Sequence, residues 1–540
     1  MGDKSRVFVR DATGLVREFS LVDTTFMSLG LYAVMYILIW GLTVAMYAFP
    51  GFDFVLTTTV ATVLTAFWAL TYGLLGAIMP RAGGDYVWVS RALHPALAFT
   101  NNFPFVVVVL ATFWGIGVVT WGALTFALSA YLDIFGRIVA NPSISALSAA
   151  VSSGWLAFIL AIIITLINVG INILPRGKFS IVIKVLFLAS MLVYVAPIVG
   201  FVTTSHEQYV SMFNDFATRY YGGGVSYQGI IDLAKSNGWT VPSYSIVNSL
   251  LAIPVGMLGY SAFQYVTYAS GEVKRAEKNL TYSMILGLVI GLIATVILWV
   301  VMVNTVGYNF MAAAAFLAWN GKYPLPTYSV TPFAFAVPIF PDPIVTSVTF
   351  MSFFVQVGFF CVTPTMLATS RNLFAWSFDR VGPEWLSSIN ERTHRPLKAL
   401  TVLTLLVVAG LAVTAFVPWL TTIFNLLWMV FVNGMIVALT AVVFPYTRKD
   451  IFDAAPPHAR RRIAGVPLLT IVGVLTFIAM LVSAVACFMN PATSGPTQPS
   501  AFAFGVSLYV IGFVWYCVAK WRRAKEGIDL SMVFREIPPE

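Results

Sequence analysis

Apolar runs as long as a bilayer crossing recur along the whole chain, separated by short polar or charged stretches. A helix that spans the hydrocarbon core needs about 20 mostly apolar residues. Windows of that size predict twelve spans: Thr24–Phe49, Phe54–Ile78, Pro104–Tyr131, Trp155–Leu174, Phe179–Val202, Ser245–Ser270, Thr281–Thr305, Ile344–Ala368, Leu397–Val417, Thr421–Phe444, Val466–Phe488 and Ala501–Val518. The third is long enough to tilt, or to begin before the membrane. An even number of spans puts both termini on one side.

Composition agrees with the pattern. Of 540 residues, 59% are apolar and only 10% charged, whereas a soluble domain carries about 25% charged residues. That excludes a string of soluble domains. The 43 Phe, 22 Tyr and 15 Trp exclude a disordered chain. Three cysteines, Cys361, Cys487 and Cys517, all lie within apolar runs and offer neither a disulfide framework nor a metal-ligand spacing. The first twenty residues carry Lys4, Arg6, Arg10 and Arg17 without the short apolar run of a removable leader, so the first span is expected to act as the uncleaved insertion signal.

The net charge of +9 changes the picture only once its position is known. With the N-terminus placed in the cytoplasm, 27 of the 31 Lys and Arg fall on that side, and only Arg137, Arg219, Lys235 and Lys322 fall on the other. Cytoplasmic loops retain positive charge. The expected protein is a multi-pass cell-membrane protein with both termini cytoplasmic. Its basic excess is a topology signal and not a nucleic-acid footprint. Missing one span would invert every later loop and destroy the asymmetry.

No enzyme constellation is present. His94, His206, His394 and His458 all fall in predicted loops, where solvated side chains are expected, and neither a zinc-binding helix motif nor a phosphate-cradling glycine loop occurs. No cofactor is implied. Three stretches stand out instead. Pro80–Arg91 follows span two, and its paired Gly83-Gly84 permits a tight bend before what reads as a short helix at the membrane edge. Gly271-Glu272-Val273-Lys274 closes span six. Ser370–Pro383 closes span eight with a basic, aromatic segment that runs on to Trp385 and Lys398.

In order and spacing these stretches resemble the amino acid–polyamine–organocation (APC) transporter superfamily: Pro-x-x-Gly-Gly-x-Tyr after span two, Glu-Val-Lys after span six, and an arginine-centred helix leading to Asp379-Arg380 and Pro383-x-Trp385 after span eight. The resemblance covers roughly Glu18 to Phe444. It implies the leucine-transporter fold: an all-α integral membrane protein of twelve transmembrane helices, with two inverted five-helix repeats plus two C-terminal helices. The units are then a cytoplasmic tail (1–23), a first repeat (24–203), an extracellular loop (204–244), a second repeat (245–445), a cytoplasmic loop (446–465), two further spans (466–520) and a second tail (521–540).

The resemblance further implies that the first helix of each repeat breaks near the bilayer midplane to bind substrate. Span six permits this, with Pro254, Gly256 and Gly259 before Tyr260-Ser261-Ala262-Phe263. Span one is less obliging. Gly30 matches a family glycine, but Val34-Met35-Tyr36 stand where the family has its small, glycine-flanked break. The implied substrate site is Gly30, Tyr32, Met35 and Tyr36 with Gly259, Tyr260, Ser261, Ala262 and Phe263, and Tyr260 and Phe263 are candidate gates. The implied function is a secondary active transporter of amino acids or related organic amines, working by alternating access as a symporter or exchanger. A carrier of the same fold for a nucleobase or carboxylate stays open. Lys184, in span five, is the main embedded cation. The resemblance offers it an ion-coupling role, with proton and sodium coupling both open; snorkelling to the interface is the competing reading.

Overall fold

A hydrocarbon solvent leaves backbone amides no partner except within their own helix, so apolar windows of this length fold as helices. The computed structural model describes residues 15–32, 34–108, 116–260, 263–326, 330–391, 393–417, 427–490, 499–535 and 537. It contains twelve membrane-length helices: Leu21–Ala48, Phe54–Ile78, Ile116–Ile138, Gly154–Ile173, Arg176–Thr203, Ile246–Glu272, Ala276–Val306, Pro343–Phe378, Leu397–Phe416, Leu427–Thr447, Leu468–Met489 and Pro499–Lys525. These are spans one to twelve. Among the described residues the one strand pair is a small hairpin, Arg462–Ile463 against Val466–Pro467. The protein is an all-α, twelve-span membrane protein.

The expected windows agree with these helices to within a few residues for most spans. For span three, the chain is helical over Pro95–Val108 and Ile116–Ile138, and residues 109–115 between them lie outside the described residues. The expected opening of span ten, from Thr421, lies outside the described residues.

Spans one, two, six and seven pack on one another, with span seven against spans one and two and the first half of span six against span two. Spans four and nine pair, as do spans ten and eleven. Span one is the most enclosed, with 79% of its apolar window buried, and span twelve the least, at 28%. Span one is therefore core, and span twelve offers most of its surface to lipid. On the face opposite the Glu18–Phe19 segment, helices His206–Tyr221, Tyr227–Ser236 and Tyr308–Trp319 form an aromatic cover. There Tyr227 stacks on Phe310 with ring centroids 4.3 Å apart and donates its hydroxyl to the Val306 carbonyl. His206, exposed as expected, also meets the Thr305 carbonyl there at 3.0 Å.

The segment after span two corrects the sequence reading. Asp85–Ala92 is a helix, but it is not a membrane-edge helix: each of its eight residues is buried. Gly83 and Gly84 make this possible. Both have positive φ, and a Cβ on Gly84 would lie 2.3 Å from the Tyr268 ring. The chain thus bends tightly enough to tuck the helix beneath the spans instead of laying it along the lipid surface.

Candidate functional site

Span one is described as two helices, Leu21–Tyr32 and Val34–Trp40, flanking residue 33. Residue 33 lies outside the described residues, as do 261 and 262; span six is α-helical as far as Tyr260 and winds as a tighter 3-10 helix over Phe263–Glu272. The two spans cross where a Cβ on Gly259 would lie 2.3 Å from Ile37 Cγ1, so only glycine allows this approach. Gly30 is equally constrained, because its Cβ would sit 2.5 Å from the Phe360 carbonyl oxygen of span eight.

Polar groups inside the bundle need partners. Tyr194 of span five turns its hydroxyl toward the Met35 backbone and accepts from Gln356 Nε2 at 3.3 Å. Gln356 opens a wide turn, Gln356–Cys361, in which span eight winds as a π-helix, a form that often marks functional positions. The Gly358 carbonyl of that turn accepts from Asn168 in span four at 2.8 Å, and Asn168 also takes the Thr363 hydroxyl. Several buried polar atoms around this middle layer have no partner among the described residues: Tyr36 Oη, Gln356 Oε1 and both amide atoms of Gln264.

The expected site residues divide accordingly. Gly30, Met35 and Gly259 lie at the contacts among spans one, six and eight, and the Tyr36 ring faces Phe353 of span eight at 6.1 Å. Tyr260 turns the other way, with its hydroxyl among Thr62 of span two and Thr295 of span seven. Phe263 sets its ring edge-on to Trp68 of span two at 5.3 Å. Both gate candidates therefore face span two in this conformation. Ser261, Ala262 and the Tyr32 side chain lie outside what the structure describes. Lys184 places its ammonium 3.0 Å from Asp23, in the first turn of span one, with 41% of its side chain exposed. Asp23 lies twelve residues before Met35, about 18 Å along a helix.

At the face that carries the N-terminal segment, here the basic face, the three sequence motifs converge. Glu272 is fully buried and meets Arg176 at 3.0 Å, Arg371 at 2.7 Å and Arg395 at 3.2 Å, from spans five and eight and the approach to span nine. Burial pulls the Arg395 guanidinium down to about 10, which still leaves it charged at neutral pH. The Glu272 carbonyl accepts the amides of Glu18 and Phe19, and the Lys274 amide donates to the Phe19 carbonyl, pinning the start of span one to the end of span six. Arg91 pairs bidentately with Asp379 at 2.5 and 2.7 Å, both buried. The sequence reading had counted these arginines as loop charges. Neither Tyr194 nor this cluster carried a sequence signal beyond the motifs themselves. Among the described residues no cluster of His, Cys, Asp and Glu could hold a metal ion.

The chain is similar to the cystine/glutamate transporters of Pongo abelii and Homo sapiens. It is 23% identical to each over 499 residues, covering 89% of this chain and 83% of the relative. The model of the family described as amino acid permease matches residues 19–514, nearly the whole length. With twelve spans and the motifs meeting at one end of the bundle, the chain belongs to the amino acid permease family.

Proposed function

We propose that this amino acid transporter is a secondary active carrier that works by alternating access. Its substrate would bind in the middle layer between the middle of span one and the change of helical form in span six. The observation that carries this reading is the change of span six from α-helix at Tyr260 to a tighter 3-10 helix from Phe263, beside the place where spans one and six touch through Gly259 and Ile37. Each span is the first of a set of five, in keeping with inverted repeats over residues 24–203 and 245–445. Tyr36 Oη, Gln264 and Gln356 Oε1, polar and without partners among the described residues, are the groups an amino acid would engage. The cluster around Glu272 closes the pathway at the basic face, and the 27-to-4 charge split makes that face cytoplasmic.

The names of the two relatives make L-cystine and L-glutamate the first ligands to try. In proteoliposomes, saturable counterflow of at least one amino acid is expected. Gly259→Leu, which drives a branched side chain into Ile37, should purify as a monodisperse protein without counterflow. Normal counterflow by that variant would remove the site, and flux that never saturates would remove the carrier mechanism.

A further inference from the structure

Asp85 opens the buried helix Asp85–Ala92 and is 1% exposed. Its Oδ2 accepts the hydroxyls of Tyr268 at 2.9 Å and Tyr72 at 3.1 Å, and its Oδ1 accepts Asn102 Nδ2 at 3.1 Å. The Asn102 carbonyl oxygen in turn accepts Trp376 Nε1 at 2.8 Å, and the Tyr72 hydroxyl also reaches Asn433 Oδ1 at 3.2 Å. One carboxylate thus joins span two, span six, the helix before span three, span eight and span ten. None of the ion pairs among the described residues includes it.

The surrounding charges are committed elsewhere. Span two brings Tyr72 as its one titratable group, and the helix Pro95–Pro104 brings none. Span ten brings Tyr446, exposed near its far end. Span eight brings Cys361, Arg371, held by Glu272, and Asp379 beyond its end, held by Arg91. Span six brings Tyr260, turned toward Thr62 and Thr295, with Tyr265, Tyr268 and Glu272, and the carboxylate's own helix brings Tyr86 and Arg91.

A buried carboxylate without a cation is costly in its ionised form and lowers that cost by taking a proton. Burial pushes the Asp85 carboxyl up to about 6, against the opposing hydrogen bonds from Tyr268 and Tyr72. Its place at the start of a helix also favours the anion, which keeps the two forms close in energy. The hydrogen count points the same way. The single hydrogen of Tyr72 faces two acceptors, Asp85 Oδ2 and Asn433 Oδ1. A proton on Oδ2 can donate to the Tyr72 oxygen and release that hydrogen to Asn433, so the protonated network serves both acceptors.

We infer that Asp85 is a proton-binding site of the carrier, and that its occupancy biases the movement of spans two and six against the helix Pro95–Pro104 and spans eight and ten. Tyr268 carries the signal: it lies on the 3-10 segment of span six, and it stacks on Tyr265 with ring centroids 5.5 Å apart. This inference rests on the transport reading, and its first test needs no transport.

In pH-difference infrared spectra of the purified protein in nanodiscs, a protonated-carboxyl band should appear on acidification and be absent from Asp85→Asn. Above its midpoint the protonated fraction should fall about tenfold per pH unit. Tyr268→Phe keeps the carboxyl but removes a donor to the anion, so the midpoint should move to higher pH. A wild-type spectrum from about pH 5 to about pH 8 identical to that of Asp85→Asn would overturn the site. In proteoliposomes, an inward proton gradient should accelerate uptake of whichever of L-glutamate or L-cystine shows counterflow, and Asp85→Asn should not respond. A titrating band with uptake indifferent to the gradient would overturn the coupling. An absence of counterflow with every amino acid would instead overturn the transport reading, while the infrared result still decides the proton site.

Discussion

Glu272 and Asp85 are both shut away from water toward the same end of the bundle, yet Glu272 touches three guanidiniums and Asp85 only hydroxyls and an amide. The first arrangement fixes a charge, because the surrounding positive groups would be stranded without it. The second leaves a charge conditional, since every neighbour is neutral and can serve either protonation state. Both carboxylates bear on the segment Phe263–Glu272, through Tyr268 and through Glu272 itself. One region therefore behaves as a clasp and the other as a sensor on the same moving part.

The largest expected effect comes from breaking the clasp. Glu272→Ala leaves three arginines facing one another in a closed space, and losing one partner of a buried ion cluster costs about 3–5 kcal/mol. Yield of monodisperse protein and thermal unfolding should both fall sharply. A mild phenotype would erase the distinction between the two regions.

Next is the pH dependence of stability at the sensor. The Asp85 carboxyl sits at about 6 in the folded protein against an ordinary 3.8. Its contribution is therefore fully present below the ordinary value and is lost as pH rises through about 6. The window is worth about 3 kcal/mol. Wild type should melt at a higher temperature on mild acidification, and Asp85→Asn should lack that component. Equal slopes for the two proteins would show that Asp85 stays in one state.

The smallest effect sharpens the comparison from outside. Lys184 and Asp23 form a half-exposed pair at the same end, and such pairs are worth below about 1 kcal/mol. Lys184→Ala should shift melting little and leave the infrared carboxyl band in place. A lost or displaced band would draw Lys184 into the proton network.

The spans were legible because hydropathy is a local property of twenty consecutive residues, and the parity of the topology followed from the basic loops. The sites were legible only in part. Glu272 was visible as the end of a motif, but Arg176, Arg371 and Arg395 looked like ordinary loop charges, because sequence records charge and not burial. Tyr72, Asp85, Asn102, Tyr268, Trp376 and Asn433 are scattered over more than 350 positions, and no spacing rule gathers them. Tyr194 was missed for the same reason, since its role exists only once span five lies against Met35. The paired Gly83-Gly84 did predict a bend; the burial beyond it depends on Tyr268 and Ala375, far along the chain.

Span eight, Pro343–Phe378, runs for 36 residues. At 1.5 Å per residue that is a rod of about 54 Å, well beyond the hydrocarbon thickness of about 30 Å. A rod converts angle into displacement: tilting it by about 10° around its middle swings each end through about 5 Å. Arg371, near one end, stands 2.7 Å from Glu272. Arg371 lies about 16 Å from the middle of that lever, so the same tilt moves it by about 3 Å, as far as the contact is long. The arginine is either seated or gone, and a small rocking motion reads out at the basic face as a switch.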